Sequence, residues 1–315
     1  MSTVGPDKRV CTRRVQRLGT SSLVVTLPKE WVRMVGLKPG DEVYVVIEGQ
    51  SVHVIPKSVA AGLARSAEVD LSRLPKGISI TRLISCAYVT GVDRLLIKGA
   101  SWEAGLEARS VASRLTGVDV TSSGDGIEVR IVLDESRVNP LELTRNLARL
   151  GVDIIGLVER LVEEPSPSLA QLAREARGEI IKYEHLAVRM MTRSRGLGGG
   201  DAASYYMAGV VGDAVASVWE LAQLAAAKAE RGERLELDEE HRDMLQRLKA
   251  IFERIAGLRG EPNEAAEVAR EAEQLRAEAQ RRLIEKMDAV TAIIAEATKW
   301  LDVAASIIAC KAILA

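Results

Sequence analysis

The strongest constraint on the fold lies in the second half of the chain, where apolar residues recur at helical spacing with few interruptions. This pattern predicts helices at about 139–163, 168–193, 202–231, 238–258 and 262–314. For the last of these, the pattern does not decide between one continuous helix and two helices with a break near the middle. The joints between them are short: EPSPS, RGLGGGD, RGERLELD and LRGEPN. Since long amphipathic helices with short joints pack as antiparallel neighbours, this half of the chain is expected to form a helical bundle.

Length and composition then predict several domains with aliphatic interiors. The chain has 315 residues, of which 47% are hydrophobic and only 3% aromatic. A chain of this length exceeds the usual size of one hydrophobic core. The expected class is therefore multidomain α+β, divided into residues 1–60, 61–136 and 137–315.

The first domain is predicted to be a small β-rich module. RVCTRRVQRL and SLVVTL have the composition of strands around a turn at Gly19–Ser22, and EVYVVIEGQSVHVIP alternates on both sides of a central GQ, as in a hairpin. Between them, a Pro-started helix, KEWVRMV, is closed by Gly36. Its apolar face, Trp31 with Met34 and Val35, is expected in the core.

Positive charge is concentrated in this module. The formal net charge of the chain is -1, but residues 1–60 carry nine Lys/Arg against five Asp/Glu, which leaves about +4 there and about -5 elsewhere. A basic surface of this kind suits the phosphates of double-stranded DNA. The residues expected to contact DNA are Lys8, Arg9, Arg13, Arg14, Arg17 and Lys29.

Because side chains alternate along a strand, these arginines are expected on two opposite faces. Arg13 and Arg17 would share one face of the first strand, and Arg14 would lie on the other. The alternative is that they merely solvate exposed strand faces. A module of about fifty residues buries little surface by itself, so a homodimer is expected, and two-fold symmetry would double the basic face.

The stretch VQRLGTSSLVVTLPKEWVRMVGLKPGDEV resembles the swapped-hairpin DNA-binding domain of the AbrB, SpoVT and MazE families. The matching elements are the basic strand, the Gly/Ser turn, the LPKEW helix start and the GLKPGDEV return. The resemblance implies a β-barrel in which two chains exchange hairpins, with basic side chains of the first strand facing DNA.

Residues 61–136 are expected to form a small α/β connecting domain. SITRLISCAYVTG and SWEAGLEARSVASRLTG read as helices, DRLLIKG as a strand, and VDVTSSGDGIEVRIVL as a hairpin turning at Gly124–Gly126. Neither a P-loop motif nor a glycine-rich strand-to-helix turn occurs in it, so no nucleotide cofactor is expected.

The segments EIIKYEHLAVRMMTR, AGVVGDAVASVWELA and KWLDVAASIIA resemble helices of PhoU-type phosphate-uptake regulators, a resemblance that covers about residues 139–315. Together with the N-terminal resemblance, the chain is similar to a combination found in archaeal proteins. PhoU relatives carry ExxxD patterns that bind metal clusters. Here Asp213 and Asp302 match the aspartates, but Gly209 and Thr298 stand four residues earlier, and Ile181 stands where an aspartate is common. No metal is therefore expected.

Other polar residues give no catalytic motif. Glu239 and Asp243 have the same spacing but lie at a helix start, where acids offset the helix dipole. The three histidines, His53, His185 and His241, have no sequence-near nucleophile, so no enzyme activity is predicted. Cys11, Cys86 and Cys310 are far apart, as in a reducing cytoplasm, and no segment is expected to insert into a membrane.

The sequence thus predicts a DNA-binding transcriptional regulator of phosphate-uptake genes, whose bundle senses or relays phosphate status. One alternative is an adaptor that contacts phosphate transporter subunits or a signalling kinase and uses the N-terminal domain for dimerisation. A weaker alternative is an antitoxin-like module.

Overall fold

The computed structural model describes residues 11–20, 22–48, 51–57, 65–73, 78–124, 126–194, 202–259 and 262–314. The chain divides into two compact units, Met1–Ala64 and Arg65–Ala315, called here the N-terminal and C-terminal units. The finer division at residue 136 stays a prediction.

The N-terminal unit contains two separate two-stranded sheets and one short helix. Both sheets are antiparallel, and the second closes with Glu48 opposite Ser51, which confirms the hairpin that the central GQ predicted. In chain order its elements are β1 (Gln16–Leu18), β2 (Ser22–Val24), α1 (Lys29–Met34), β3 (Val43–Glu48) and β4 (Ser51–Pro56).

Two expectations about this unit are wrong for one copy of the chain. Among the described residues, the first strand is confined to Gln16–Leu18, because its hydrogen-bonding partner β2 is only three residues long. The helix α1 contributes no buried residue: Met34 is exposed, and Trp31 and Val35 are only half-buried. A single copy supplies too few neighbours to cover this face.

The C-terminal unit begins with a four-stranded sheet of order β5-β6-β8-β7. The strand β5 pairs parallel to β6, whereas β6, β8 and β7 are antiparallel neighbours. The sequence pattern missed β5, a five-residue strand with the sequence SAEVD. The elements are β5 (Ser66–Asp70), α2 (Ile80–Val89), β6 (Arg94–Lys98), α3 (Trp102–Ala112), β7 (Val118–Ser123) and β8 (Gly126–Ile131).

Both helices of this part start at serine caps, since the hydroxyls of Ser79 and Ser101 accept bonds from the amides of Arg82 and Ala104. The side chains of α2 and α3 pack with the sheet into one small core that includes Ile84, Leu95, Ile97, Ile127 and Val129.

The rest of the C-terminal unit is helical and has its own core. The helix α6 lies at its centre, in contact with α4, α5 and α9, while α7 packs mainly on α4, α8 and α9. The helices are α4 (Pro140–Glu163), α5 (Pro167–Ser194), α6 (Ala202–Ala229), α7 (Glu239–Gly257), α8 (Pro262–Glu285) and α9 (Ala289–Leu314). The segment for which a break was left open is divided into α8 and α9.

The apolarity of α6 follows from this central position. It is long and apolar enough to cross a membrane by length and composition, but 61% of the apolar stretch is buried inside the protein. Among its buried residues are Ala208, Val211, Val215 and Leu221. A core helix surrounded by other helices is apolar on all its faces for the same reason.

We predict opposite effects for alanine at two glycines of α4. A Cβ on Gly151 would meet the ring of Phe252 at 2.7 Å, whereas a Cβ on Gly156 meets nothing within 4 Å. Gly151→Ala should therefore lower the free energy of unfolding by about 1–3 kcal/mol through overpacking. Gly156→Ala should raise it by about 0.5–1 kcal/mol by restricting the unfolded chain. Urea unfolding followed by helical circular dichroism measures both, and equal effects would contradict the close contact of α4 with α7.

Candidate nucleic-acid interface

The first hairpin presents one of the predicted arginines in a defined position. Gly19 at its turn has φ of 69°, a conformation that glycine adopts without strain. Arg17 stands directly opposite Leu23, so the two side chains project from the same face of the β1–β2 sheet. This face therefore carries both a charge and an exposed apolar residue.

Arg13 and Arg14 are exposed and precede β1, so they lie outside the paired strand, and the division of the arginines between two faces stays a prediction. Arg13 donates through Nη1 to the carbonyl oxygen of Thr12 at 2.9 Å. Within the described ranges, no carboxylate pairs with Arg13, Arg14 or Arg17. Their charges are thus available to an external anion.

Lys29 is the first residue of α1 and is also exposed. In the part of the chain that the structure describes, no hydrogen bond or ion pair joins it to β1. The structure therefore does not bring Lys29 into direct contact with the arginines. Lys8 and Arg9 lie outside the described residues.

Two acids of the N-terminal unit have internal roles. Asp41 accepts the amide of Lys38 at 2.7 Å and so closes the KPGD turn, in which Gly40 has φ of 94°. Glu42 forms an ion pair with Lys57 at 2.5 Å where the second hairpin opens. Among the residues that the structure describes, neither acid pairs with an arginine of the first hairpin.

The second hairpin carries an apolar face that is exposed toward the turn. Its register brings three pairs of apolar residues to one side: Val43 with Pro56, Val45 with Val54 and Ile47 with Val52. Val45, Ile47 and Val52 are 59%, 77% and 61% exposed. Val43 and Val54 are half-buried, and Pro56, at the other end of this face, is buried. Such an apolar surface on a small unit marks an interaction site.

The aspartates that match the PhoU pattern have other environments. Burial raises the pKa of Asp213 above its ordinary value of 3.8, and Glu296 adds to this rise. Asp302 lies 3.6 Å from the guanidinium of Arg276 and accepts a hydrogen bond from Ser306 at 3.4 Å. Within the described ranges, no group of three or more His, Cys, Asp or Glu side chains is placed to hold a metal ion.

The start of α7 is capped by a residue that the sequence analysis missed. Asp238 accepts the amide of His241 at 3.0 Å, and His241 Nδ1 lies 3.4 Å from the amide of Asp238, as in a capping box. Glu239 lies in the first turn, and Asp243 is 3.5 Å from Arg247. The signal was available, since Asp is a favoured residue immediately before a helix.

The sequence analysis also missed a cluster of charges in the C-terminal unit. Arg189 and Arg193 of α5 contact Asp93, which precedes β6, and Glu135, in a short 3₁₀ turn. We call these four residues the Asp93 clamp. The side chain of Arg189 is only 1% exposed, a rare position for a charged group. Residues so distant in sequence give no local pattern.

The ring of Tyr88 packs against Arg189 on the buried side of the Asp93 clamp. The guanidinium of Arg189 lies 5.2 Å from the centre of the Tyr88 ring. Burial raises the pKa of Tyr88 to about 12, so its hydroxyl stays protonated and donates to the carbonyl oxygen of Thr116 at 3.0 Å.

Comparison with known proteins gives one match. A family described as "Antidote-toxin recognition MazE, bacterial antitoxin" matches residues 16–61, which include both hairpins and α1. Searches of curated proteins and of solved structures found no significant match. By fold and match, this is a multidomain protein with a segment similar to the MazE family at residues 16–61 and a mostly helical C-terminal unit.

We predict that Glu184 of α5 makes stability depend on pH. Burial raises its pKa to about 7 from 4.5, although Arg177 opposes the rise. The folded protein therefore holds a proton that the unfolded chain releases, and the free energy of unfolding falls as pH rises from about 4.5 to about 7. Glu184→Gln should flatten this dependence in urea unfolding.

The control is Glu179→Gln on the same helix, where the carboxylate is exposed and lies 3.7 Å from Lys182. This variant should keep the pH dependence of the wild-type chain. An unchanged slope in Glu184→Gln would contradict the assignment to Glu184.

Proposed function

We propose that this protein is a homodimeric, DNA-binding transcriptional regulator. The observation that carries the proposal is the composition of the N-terminal unit, which combines an unpartnered apolar hairpin face with arginines that have no carboxylate partner in the described part of the chain. The apolar hairpin face would be buried by a second protein surface. The arginines would bind an external polyanion.

A second copy of the same unit is the proposed occupant of the apolar face. Val15, Leu18, Leu23 and Val25 of the first hairpin are exposed as well, so both hairpins carry apolar surface that a single copy leaves in water. Burying such surface stabilises by about 25 cal/mol per Å². The match to the MazE family supports a dimer built by exchange of hairpins into one barrel.

Duplex DNA is the proposed ligand of the basic face. Two-fold symmetry would place two sets of arginines on one surface, and the guanidinium fork can contact phosphates and guanine edges alike. Each phosphate that is neutralised releases counterions, so affinity should fall steeply with salt. Regulation would act by a population shift, in which a signal on the bundle changes how the two DNA-binding units are held.

Control of phosphate-uptake genes is the more specific part of the proposal. It is supported by the resemblance of the bundle segments to PhoU-type regulators, not by the match to residues 16–61. Genome-wide mapping of bound DNA in phosphate-rich and phosphate-starved cells tests it. Occupancy that ignores phosphate would reject this part and leave DNA binding intact.

An antitoxin-like role is the second candidate, because the matching family is described by its recognition of a toxin. It predicts a small toxin encoded next to this protein and a stable complex between the two. An adaptor that acts on transporter subunits or a signalling kinase predicts instead that duplex DNA is ignored at low salt.

We predict that Arg13→Ala with Arg17→Ala weakens DNA binding by at least about tenfold at low salt. The slope of log affinity against log salt should also become shallower, by about one for each phosphate that the variant no longer neutralises. The measurement is a gel-shift titration of the full chain on its own upstream region at several salt concentrations.

The matched control is Arg73→Ala with Arg137→Ala, which removes the same charge from two exposed positions of the C-terminal unit. This variant should retain wild-type affinity. Equal weakening in both variants would mean that only net charge matters, and the proposed DNA face would be wrong.

We further predict that Ile47→Asp converts the dimer toward monomer, because it places a charge on the apolar hairpin face. Ile284→Asp is the control, since Ile284 is at least as exposed as Ile47 but lies near the end of α8 in the C-terminal unit. Sedimentation equilibrium should show a dissociation constant at least about tenfold higher for Ile47→Asp alone. An unchanged dimer would remove this face from the interface.

A further inference from the structure

Asp93 joins two segments of the C-terminal unit that are distant in sequence. Its Oδ1 accepts from Arg189 Nη2 at 2.6 Å, and its Oδ2 accepts from Arg193 Nη1 at 3.2 Å. The same Oδ2 accepts from the backbone amide of Arg65 at 3.0 Å. One carboxylate therefore connects the C-terminal end of α5 to the first residue of the C-terminal unit.

The connection to Arg65 is reinforced by backbone bonds. The amides of Asp93 and Arg94 both donate to the carbonyl oxygen of Arg65, at 2.7 and 3.2 Å, and Arg65 Nη1 donates to the carbonyl oxygen of Thr90 at 2.9 Å. Residue 65 is thus fixed to the turn before β6 from both its amide and its carbonyl group.

Gly91 allows the side chains of Arg65 and Arg193 to lie against the same turn. It has φ of 81°, and a Cβ there would lie 2.9 Å from Arg193 Cδ and 3.2 Å from Arg65 Nη1. A side chain at this position would displace both arginines. The turn is therefore shaped for simultaneous contact with α5 and with the start of the unit.

The α5 side of the connection contains further hydrogen bonds. Besides Asp93, Arg189 donates to Glu135 Oε1 at 3.0 Å and to the carbonyl oxygens of Tyr88 and Val92 at 3.1 and 2.9 Å. Glu135 also accepts from Arg193 at 2.9 Å. These partners satisfy the buried charge of Arg189, which would be costly without them.

We propose that the Asp93 clamp transmits displacement of α5 to residue 65, where the chain from the N-terminal unit enters. A rearrangement of the bundle that shifts α5 would then change how the DNA-binding unit is held. The effect on the DNA-binding unit rests on the proposed function, whereas the link between α5 and residue 65 does not. The physical link is a set of charge-assisted hydrogen bonds that share one carboxylate.

Hydrogen–deuterium exchange of the full chain tests the link directly. Arg193→Gln should accelerate exchange at the amides of Arg65, Asp93 and Arg94 by about tenfold or more, although residue 193 is remote in sequence. Arg193→Lys keeps the charge without the planar fork, so it should give a smaller acceleration.

Arg254→Gln is the matched control. Arg254 also bridges two carboxylates, Glu267 and Glu271, but both of these lie on α8, which is not part of the Asp93 clamp. It should leave exchange at Arg65 unchanged. If folded Arg193→Gln and Arg193→Lys proteins both exchange at Arg65 as slowly as the wild-type chain, the proposed link is wrong.

A second measurement separates the link from the proposed function. Gel shifts on duplexes with one and with two half-sites should show that Arg193→Gln changes the affinity for two half-sites by about threefold or more, while affinity for one is unchanged. If the wild-type chain binds neither duplex, the proposed DNA-binding function is wrong. The exchange experiment still tests the link between α5 and residue 65 in that case. Altered exchange with unaltered affinities would overturn the regulatory role.

Discussion

Burial of α6 is the constraint on which the C-terminal unit depends. This helix is surrounded by α4, α5 and α9, and its own residues are small and aliphatic along most of its length. With so few aromatic residues in the chain, the core must be filled by close approach of backbones. The contact of Gly151 with the ring of Phe252 is one place where this approach leaves no room for a side chain.

The N-terminal unit presents the opposite situation. Its strands are short, its helix has six residues, and nearly all of its apolar side chains are at least partly in water in one copy. Its stability and its ligand face are therefore linked, since the association that would bury the second hairpin is also what would assemble the basic surface. The match to a MazE family over residues 16–61 agrees with this interpretation.

The Asp93 clamp lies within the C-terminal unit and reaches its first residue, Arg65, where we propose that movement of the bundle is passed on. A bundle with a tightly packed core moves by shifts of whole helices, because its interior resists gradual deformation. The arginines at the end of α5 are bound to the turn that also holds Arg65. Movement of the helix thus has a short path to the start of the C-terminal unit, through hydrogen bonds and without a chain of loosely packed side chains.

Local patterns in the sequence determined the helices, the second hairpin and the KPGD turn, because caps, glycines and hydrophobic periodicity act over a few residues. The basic character of residues 1–60 was equally plain. Local patterns also suggested a longer first strand and a buried α1, and both were wrong because strand length and burial depend on partners elsewhere in space.

Only the tertiary structure decided the strand β5, the packing of α7 away from α6 and the meeting of Arg65, Asp93, Glu135, Arg189 and Arg193. The sequence set which residues were charged and which helices they occupied. It did not set which charges would be buried together, since that depends on how non-adjacent segments satisfy one another's hydrogen bonds once water is excluded.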